Sequence, residues 1–432
     1  MLYENSMTYF VDKLKRFAHY DNFIHHLVYL QKMKINKNLN RKRLGILILS
    51  IFIILLCLAI FIYFNIQNKH PSNSMHHSAS NTQVQTKSTN PTIHFAAMGD
   101  MLAHDTIIDN AKTPDGYDFS KYFTNIESSY KGSDIIFCNQ EGLSSGEQYG
   151  ISGYPAFNAP TQFSNDLRNG AGCNLINLAN NHIGDKGVSA TDATIDVWSK
   201  LKPLAFSGAN KNATEQSKLR IFTVNGIKVG FVSFADFNNN NSTPAYSVNN
   251  YHDEALVRKL VSGLRGNADV VIVSMHWGIE DSNAVSSDQQ NETNLLSSLG
   301  ADVIIGTGPH VLQKVSVIPR KDGGKTIVWY SLGNMLSSQL LIKELIGGIA
   351  TFDITKTGGK ITIGKLSFTP TYMHYDWTQT QAANNDLLAR KNAMIYLLKN
   401  ASIALSKSLF NTTVQEQKQY VIDTLGSEVA VK

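Results

Sequence analysis

From residue 92 onward the chain sets short apolar runs between polar loops and longer amphipathic stretches. The runs predict strands over 93–98, 134–138, 174–178, 204–207, 220–224, 228–234, 270–275, 303–305, 326–331, 348–353 and 360–368, since short apolar runs bounded by turn formers fit buried strands. Apolar residues returning at every third or fourth position predict helices near 119–130, 160–170, 188–201, 253–265 and 286–299. Strands that alternate with helices define an α/β chain with largely parallel pairing. The closely spaced late strands read as antiparallel, so the expectation is a mixed sheet or two packed sheets. Residues 385–409 read as one amphipathic helix within a C-terminal helical appendage over 376–432.

The pattern before residue 92 is different. Residues 44–64, LGILILSIFIILLCLAIFIYF, carry no charge. At about 1.5 Å per residue this run crosses the ~30 Å hydrocarbon core of a bilayer. The apolar region of a cleaved signal is only about 7–15 residues long and ends at small residues, whereas this run ends in Tyr63-Phe64-Asn65. Arg41, Lys42 and Arg43 precede it directly. The positive-inside rule then expects residues 1–43 in the cytoplasm and the body, 92–375, outside the cell. Residues 65–91 are rich in Ser, Asn, Thr, Gln and His and read as a flexible tether.

Composition narrows the class. With 43% hydrophobic and 17% charged residues, the chain is neither disordered nor collagen-like. The net charge is +5, yet residues 1–43 hold nine Lys/Arg against three Asp/Glu. The body after residue 64 is therefore near neutral, which removes the electrostatic case for nucleic acid. Of three cysteines, Cys57 lies in the apolar run. Cys138 is expected at the end of one strand and Cys173 at the start of the next. In parallel neighbours those are opposite ends, beyond the ~5.5 Å Cα spacing of a disulfide, so two free thiols are expected.

Residues with chemistry gather where the strands end, the edge at which open α/β sheets bind ligands. The first strand runs into Gly99-Asp100-Met101-Leu102-Ala103-His104, the second into Asn139-Gln140-Glu141-Gly142 and the third into Ala179-Asn180-Asn181-His182, with Asp185 and Gly187 behind. Later ends are His276-Trp277-Gly278-Ile279-Glu280, Gly306-Thr307-Gly308-Pro309-His310 and Ser331-Leu332-Gly333-Asn334. Singly, each is an ordinary turn or a structural histidine. Together they form a donor set for a divalent cation. Carboxylate and amide oxygens suit Mg or Mn, and imidazole suits Zn, Mn or Fe.

These motifs, in this order, resemble the CapA or poly-γ-glutamate capsule synthesis family. The resemblance rests on GDMLAHD (99–105), NQEG (139–142), GYPAFNAP (153–160), LANNHIGDKG (178–187), TVNGIKVGFVSF (223–234), VSMHWGIE (273–280), IIGTGPHVLQ (304–313) and WYSLGNM (329–335). It implies a calcineurin-like metallophosphoesterase fold, a four-layer αββα sandwich. It implies metal ligands Asp100, His104, Asn139, Glu141, Asn181, His276 and His310, with His182 as general acid and Glu280 as proton carrier. Asp185 and Asn334 would support these ligands. The family commonly has Gly-x-His-Pro-His where this chain has Gly308 before Pro309 and His310. The implied ligand set is thus one imidazole short, and Gly308→His is expected either to restore a ligand or, if Gly308 holds a backbone conformation or close approach, to destabilise the fold without changing metal binding. The resemblance also implies an anionic polymer such as poly-γ-glutamate, and other membrane capsule-synthesis proteins, as partners. Three functions follow: a polymer biosynthesis or export component, a metal-dependent hydrolase of a phosphoester or amide in envelope material, and a non-catalytic polymer-binding scaffold.

Overall fold

The computed structural model describes residues 90–432. The expected membrane run at 44–64 and its flanks lie outside the described residues. Among the described residues no helix is long and apolar enough to cross a membrane.

The strands, in chain order, are β1 (Thr92–Leu102), β2 (Lys112–Thr113), β3 (Gly116–Tyr117), β4 (Ile135–Glu141), β5 (Leu175–Asn177), β6 (Ala205–Ser207), β7 (Arg220–Val224), β8 (Ile227–Ala235) and β9 (Val270–His276). They continue as β10 (Val303–Thr307), β11 (Val315–Pro319), β12 (Lys325–Trp329), β13 (Asn334–Leu336), β14 (Ile346–Thr357), β15 (Lys360–Asp376), β16 (Lys391–Leu397) and β17 (Ala430–Val431). One sheet has the order β16-β15-β14-β1-β4-β5-β6, with β13 beside β1 and β17 beside β15; the other has β11-β12-β10-β9-β8-β7. Both have a parallel centre (β1-β4-β5-β6 and β8-β9-β10-β12) with antiparallel strands outside it.

The two sheets face each other. Phe137 on β4 meets Phe231 on β8 edge-on at 6.2 Å, and Trp329 on β12 stacks near Phe368 on β15 at 6.2 Å. Strand alternation then sorts every side chain to a layer. On β9, Val270 and Ile272 belong to the core between the sheets, while Val271, Val273 and Met275 face away from it. The outward set meets the helix Glu254–Arg265 (α4), whose Leu256, Val257, Leu260, Val261 and Leu264 are buried. On β4, Gln140 points outward, where it accepts from Ser164 on α2 (Thr161–Asn169) and Trp198 on α3 (Val188–Leu201). By the same parity Asn139 and Glu141 share the opposite face, and Glu141 and His276 each point between the sheets at their strand ends. The helix α1 (Asp105–Ala111) follows β1, and α5 (Ser287–Ser298) follows the turn after β9.

The predicted strands all fall on observed ones. Four predicted helices match α2 to α5, but 119–130 forms two 3-10 turns, Ser120–Phe123 and Glu127–Ser129. Two expectations are corrected. The helix over 385–409 is absent: Lys391–Leu397 is strand β16, paired antiparallel with β15. Its Ala393, Ile395 and Leu397 are buried while Met394 and Tyr396 are half-buried, a period of two inside a segment whose composition suits a helix. This tail therefore completes the large sheet instead of hanging from it as a helical appendage. The two expected free thiols are also corrected, because Cys138 and Cys173 form a disulfide with Cα atoms 5.8 Å apart. Cys138 sits in mid-strand on the face turned to α2, and Cys173, whose amide donates to the Leu167 carbonyl, comes off α2 across that same face.

Because Ile395 is fully buried, Ile395→Ala is expected to cost about 2–5 kcal/mol, read from chemical denaturation. A neutral result would mean that the C-terminal strand does not share in the cooperative fold.

Candidate metal centre

Strand ends from both sheets bring the acids and imidazoles together. Asp100 follows a bulge in β1. Its neighbour Gly99 is needed there, since a Cβ would lie 1.9 Å from the Gly333 carbonyl oxygen. The Asp100 amide donates to that same carbonyl at 3.0 Å. The Asp100 carboxylate is fully buried and well served. It accepts from Asn139 Nδ2 at 2.7 Å and from the Gly308 amide at 3.1 Å, and it pairs with His310 Nδ1 at 3.2 Å. Burial alone would raise its pKa, but the bond to His310 and that ring's charge outweigh burial and hold it low.

Glu141, at the end of the neighbouring strand β4, is the opposite case. It is 2% exposed, and neither of its carboxylate oxygens has a hydrogen-bond partner. The nearest imidazole nitrogens are His276 Nε2 at 3.6 Å and His310 Nε2 at 3.7 Å. Burial pushes its carboxyl pKa well up. A buried carboxylate without partners costs several kcal/mol unless a proton or a cation neutralises it. One ligand atom each from Asp100, Glu141 and His276 lies within 4.8 Å of the others, so the residues present fit a divalent cation.

The imidazoles complete the picture. The Thr307 hydroxyl is placed to donate to the Met275 carbonyl at 3.4 Å, and its oxygen lies 3.1 Å from His276 Nδ1. Assigned from this network, the His276 proton sits on Nδ1. Its Nε2 lone pair then faces Asn181 Oδ1 at 3.0 Å and Glu141, a concentration of electron-rich atoms that a cation relieves. Burial drives the His276 pKa down to about 3, keeping the ring neutral. His310 goes the other way: burial opposes its charge, but Glu141 and Asp100 outweigh burial and raise it to about 10.

The remaining expected residues take varied places. Asn139 positions Asp100, and its oxygen accepts from Asn177 Nδ2 at 2.9 Å, so the atom that could ligate is already engaged. His182 pairs with Asp185 at 2.8 Å, and Asp185 is fixed by the Phe157 amide at 2.7 Å. Asn180 holds that loop by accepting from the Gly142 and His182 amides. Asn334 accepts from His310 Nδ1 at 3.1 Å. His104 stands apart from the tight cluster: its ring packs edge-on against Phe157 and its Nδ1 accepts from the Ser338 amide at 3.4 Å. Burial, then the charges of His310 and Arg390, lower its pKa to about 3. Glu280 is exposed in the turn after β9, where its charge still reaches Glu141 and His310. Thr307, Asn177 and Phe157 were not singled out from sequence. Thr307 and Phe157 do lie inside the motif runs, but Asn177 carries no signal beyond its place one register step from Asn139.

Two facing mixed sheets with an acid and imidazole cluster at their strand ends define an α/β protein with a candidate metal centre. The family model of the bacterial capsule synthesis protein PGA_cap matches residues 94–339, more than half of the chain. The chain belongs to that family. It is similar to the capsule biosynthesis protein CapA of Bacillus anthracis, 34% identical over 175 residues, covering 39% of this chain and 41% of that one. It is also similar to the PGA biosynthesis protein CapA of Bacillus subtilis, 27% identical over 236 residues, covering 53% of this chain and 58% of that one. The matched part thus spans about half the length of these relatives. Among solved structures, the calcineurin-like phosphoesterase YfkN of Bacillus subtilis aligns with TM-score 0.38 and 16% identity over 65% of this chain and 90% of that one. A 5'-nucleotidase of Candida albicans aligns with TM-score 0.37 and 11% identity over 65% of this chain and 52% of that one. At such scores it is the strand order, not these likenesses, that describes the architecture.

The departure at Gly308 has a local cause. Its φ is +105°, and its amide donates to Asp100. A Cβ there would stand 3.0 Å from the Trp277 carbonyl oxygen and 3.3 Å from His276 Cδ2. Of the two outcomes open for Gly308→His, this backbone favours the second, because the position serves Asp100 through its amide. The substitution is expected to cost about 1–3 kcal/mol in strain, seen as a lower Tm without tighter Mn²⁺ binding. Tighter binding in a stable variant would show that the loop can take another path.

Proposed function

We propose that this protein is a membrane-anchored, extracytoplasmic component of capsule or poly-γ-glutamate polymer biosynthesis or export, with a divalent cation at the Asp100, Glu141 and His276 centre. The observation that carries the metal reading is the Glu141 carboxylate, buried with both oxygens unpartnered. Asp100, Glu141, His276 and Asn181 would hold the cation, with His310 reaching both Asp100 and Glu141. When bound, a divalent cation polarises a scissile carbonyl or phosphoryl group and acidifies water beside it. The chain's own residues supply the rest. Asp185 fixes the orientation of His182, which is placed to give a proton to a leaving group. Thr307 fixes the tautomer of His276, and Asn139 with the Gly308 amide fixes Asp100. Glu280 supplies a carboxylate at the solvent rim. Gly308, in place of an imidazole, favours one cation over two.

The anchor is read from the uncharged run at 44–64 behind three basic residues, and the polymer from the family. The near-neutral body makes polymer binding local to the cleft.

The full-length protein is expected to retain about one equivalent of divalent metal, with Glu141→Gln retaining little. Chelation should then lower the Tm of the wild type and leave Glu141→Gln unmoved, because the amide no longer needs a cation. Metal-free wild type with a Tm insensitive to Mn²⁺ would remove the metal reading and leave a polymer-binding scaffold. For topology, protease added to intact protoplasts is expected to remove the body. Survival of the body would reverse the orientation.

A further inference from the structure

Arg390 is a cation without an acid. It is 4% exposed, and no carboxylate lies within salt-bridge distance of it among the described residues. Its Nε donates to the Leu387 carbonyl at 2.8 Å and its Nη1 to the Ser338 carbonyl. Its guanidinium lies over the rings of Tyr375 and Trp377, at 4.9 and 5.6 Å from their centroids. Carbonyls and aromatic faces soften a buried cation's loss of water without cancelling its charge. Arginine stays protonated under any ordinary condition, so the charge persists.

Its surroundings tie it to the metal centre. Ser338 gives its carbonyl to Arg390 and its amide to His104 Nδ1. The Ser338 hydroxyl is itself buried, in a residue 2% exposed, and has no partner. Ser338 lies just past β13, which pairs with β1 at Asp100 and Met101. An uncompensated guanidinium, an unused hydroxyl donor and a partly exposed imidazole thus meet at Ser338. All three donate to anions, and a guanidinium fork matches a planar oxyanion.

We propose that Arg390, Ser338 and His104 form an oxyanion subsite next to the metal centre, which takes a carboxylate of an acidic polymer such as a γ-linked glutamate chain. This rests on the polymer reading above. Arg390 lies beyond residue 339, outside the span that the family model matches, so the tail supplies the subsite's cation while His104 and Ser338 lie within that span.

The test uses the full-length protein with Arg390→Met, Arg390→Lys and Ser338→Ala, titrated by calorimetry with a γ-linked glutamate oligomer and, separately, with inorganic phosphate. The oligomer is expected to bind the wild type and to bind Arg390→Met about 10–100-fold more weakly, the scale of one charge-assisted hydrogen-bonded pair. Arg390→Lys should fall between, Ser338→Ala should weaken binding less, and added salt should weaken the wild type most. Metal content should be the same in Arg390→Met as in the wild type, which separates this site from the metal reading. Oligomer binding that is absent in the wild type, or equal in Arg390→Met and the wild type, overturns the subsite whatever the metal content. If phosphate alone binds and depends on Arg390, the oxyanion site stands and the polymer assignment falls. Should Arg390→Met not fold, the lysine and Ser338→Ala variants decide: unchanged affinity in both overturns the proposal.

Discussion

Two acids on neighbouring parallel strands set the terms for this molecule. The β1 and β4 register places Asp100 opposite Asn139 and Leu102 opposite Glu141, so both carboxylates end up inside one buried space between the sheets. Like charges in a low-dielectric interior repel strongly. The fold meets this for one acid and not for the other. Asp100 takes an amide, a carboxamide and an imidazole; Glu141 takes nothing. A protein that can afford three donors for one carboxylate and withholds them from its neighbour has a place kept for something else.

The rest of the architecture serves that asymmetry. Gly99 lets β1 touch the Gly333 turn, which turns Asp100 inward. The parity of β9 sends His276 between the sheets while Val271 and Val273 hold α4 on the outside. Thr307, one strand over, fixes which nitrogen of His276 carries its proton. Asp100, Glu141 and His276 thus sit on strands, which are rigid, while Asn181, His182 and Asp185 sit on a loop that Asn180 clamps.

Much of this was legible along the chain because period and position carry it. Alternating apolar runs located the sheets, and polar residues at strand ends located Asp100, Glu141, Asn181, His276 and His310. What escaped was whatever depends on direction or on a distant partner. Residues 391–397 hold Met, Ile, Tyr and Leu in a stretch with helix-forming neighbours, and only pairing with β15 decides for the strand. Asn139 looked like a ligand because it shares a strand face with Glu141, but its Nδ2 serves Asp100 and Asn177 takes its oxygen. The Gly308 amide gives no sign in the sequence that it serves Asp100.

The link between Cys138 and Cys173 has a consequence for where the protein can work. It closes a loop of 35 residues on the strand that ends in Glu141, a constraint of about 3–4 kcal/mol on the unfolded chain. In a reducing compartment that contribution is absent. The strand bearing the unpartnered acid is then held by its sheet hydrogen bonds and packing without the cross-link, and Glu141 is placed less firmly. The firmness of the candidate metal centre is in this way tied to the redox state around it.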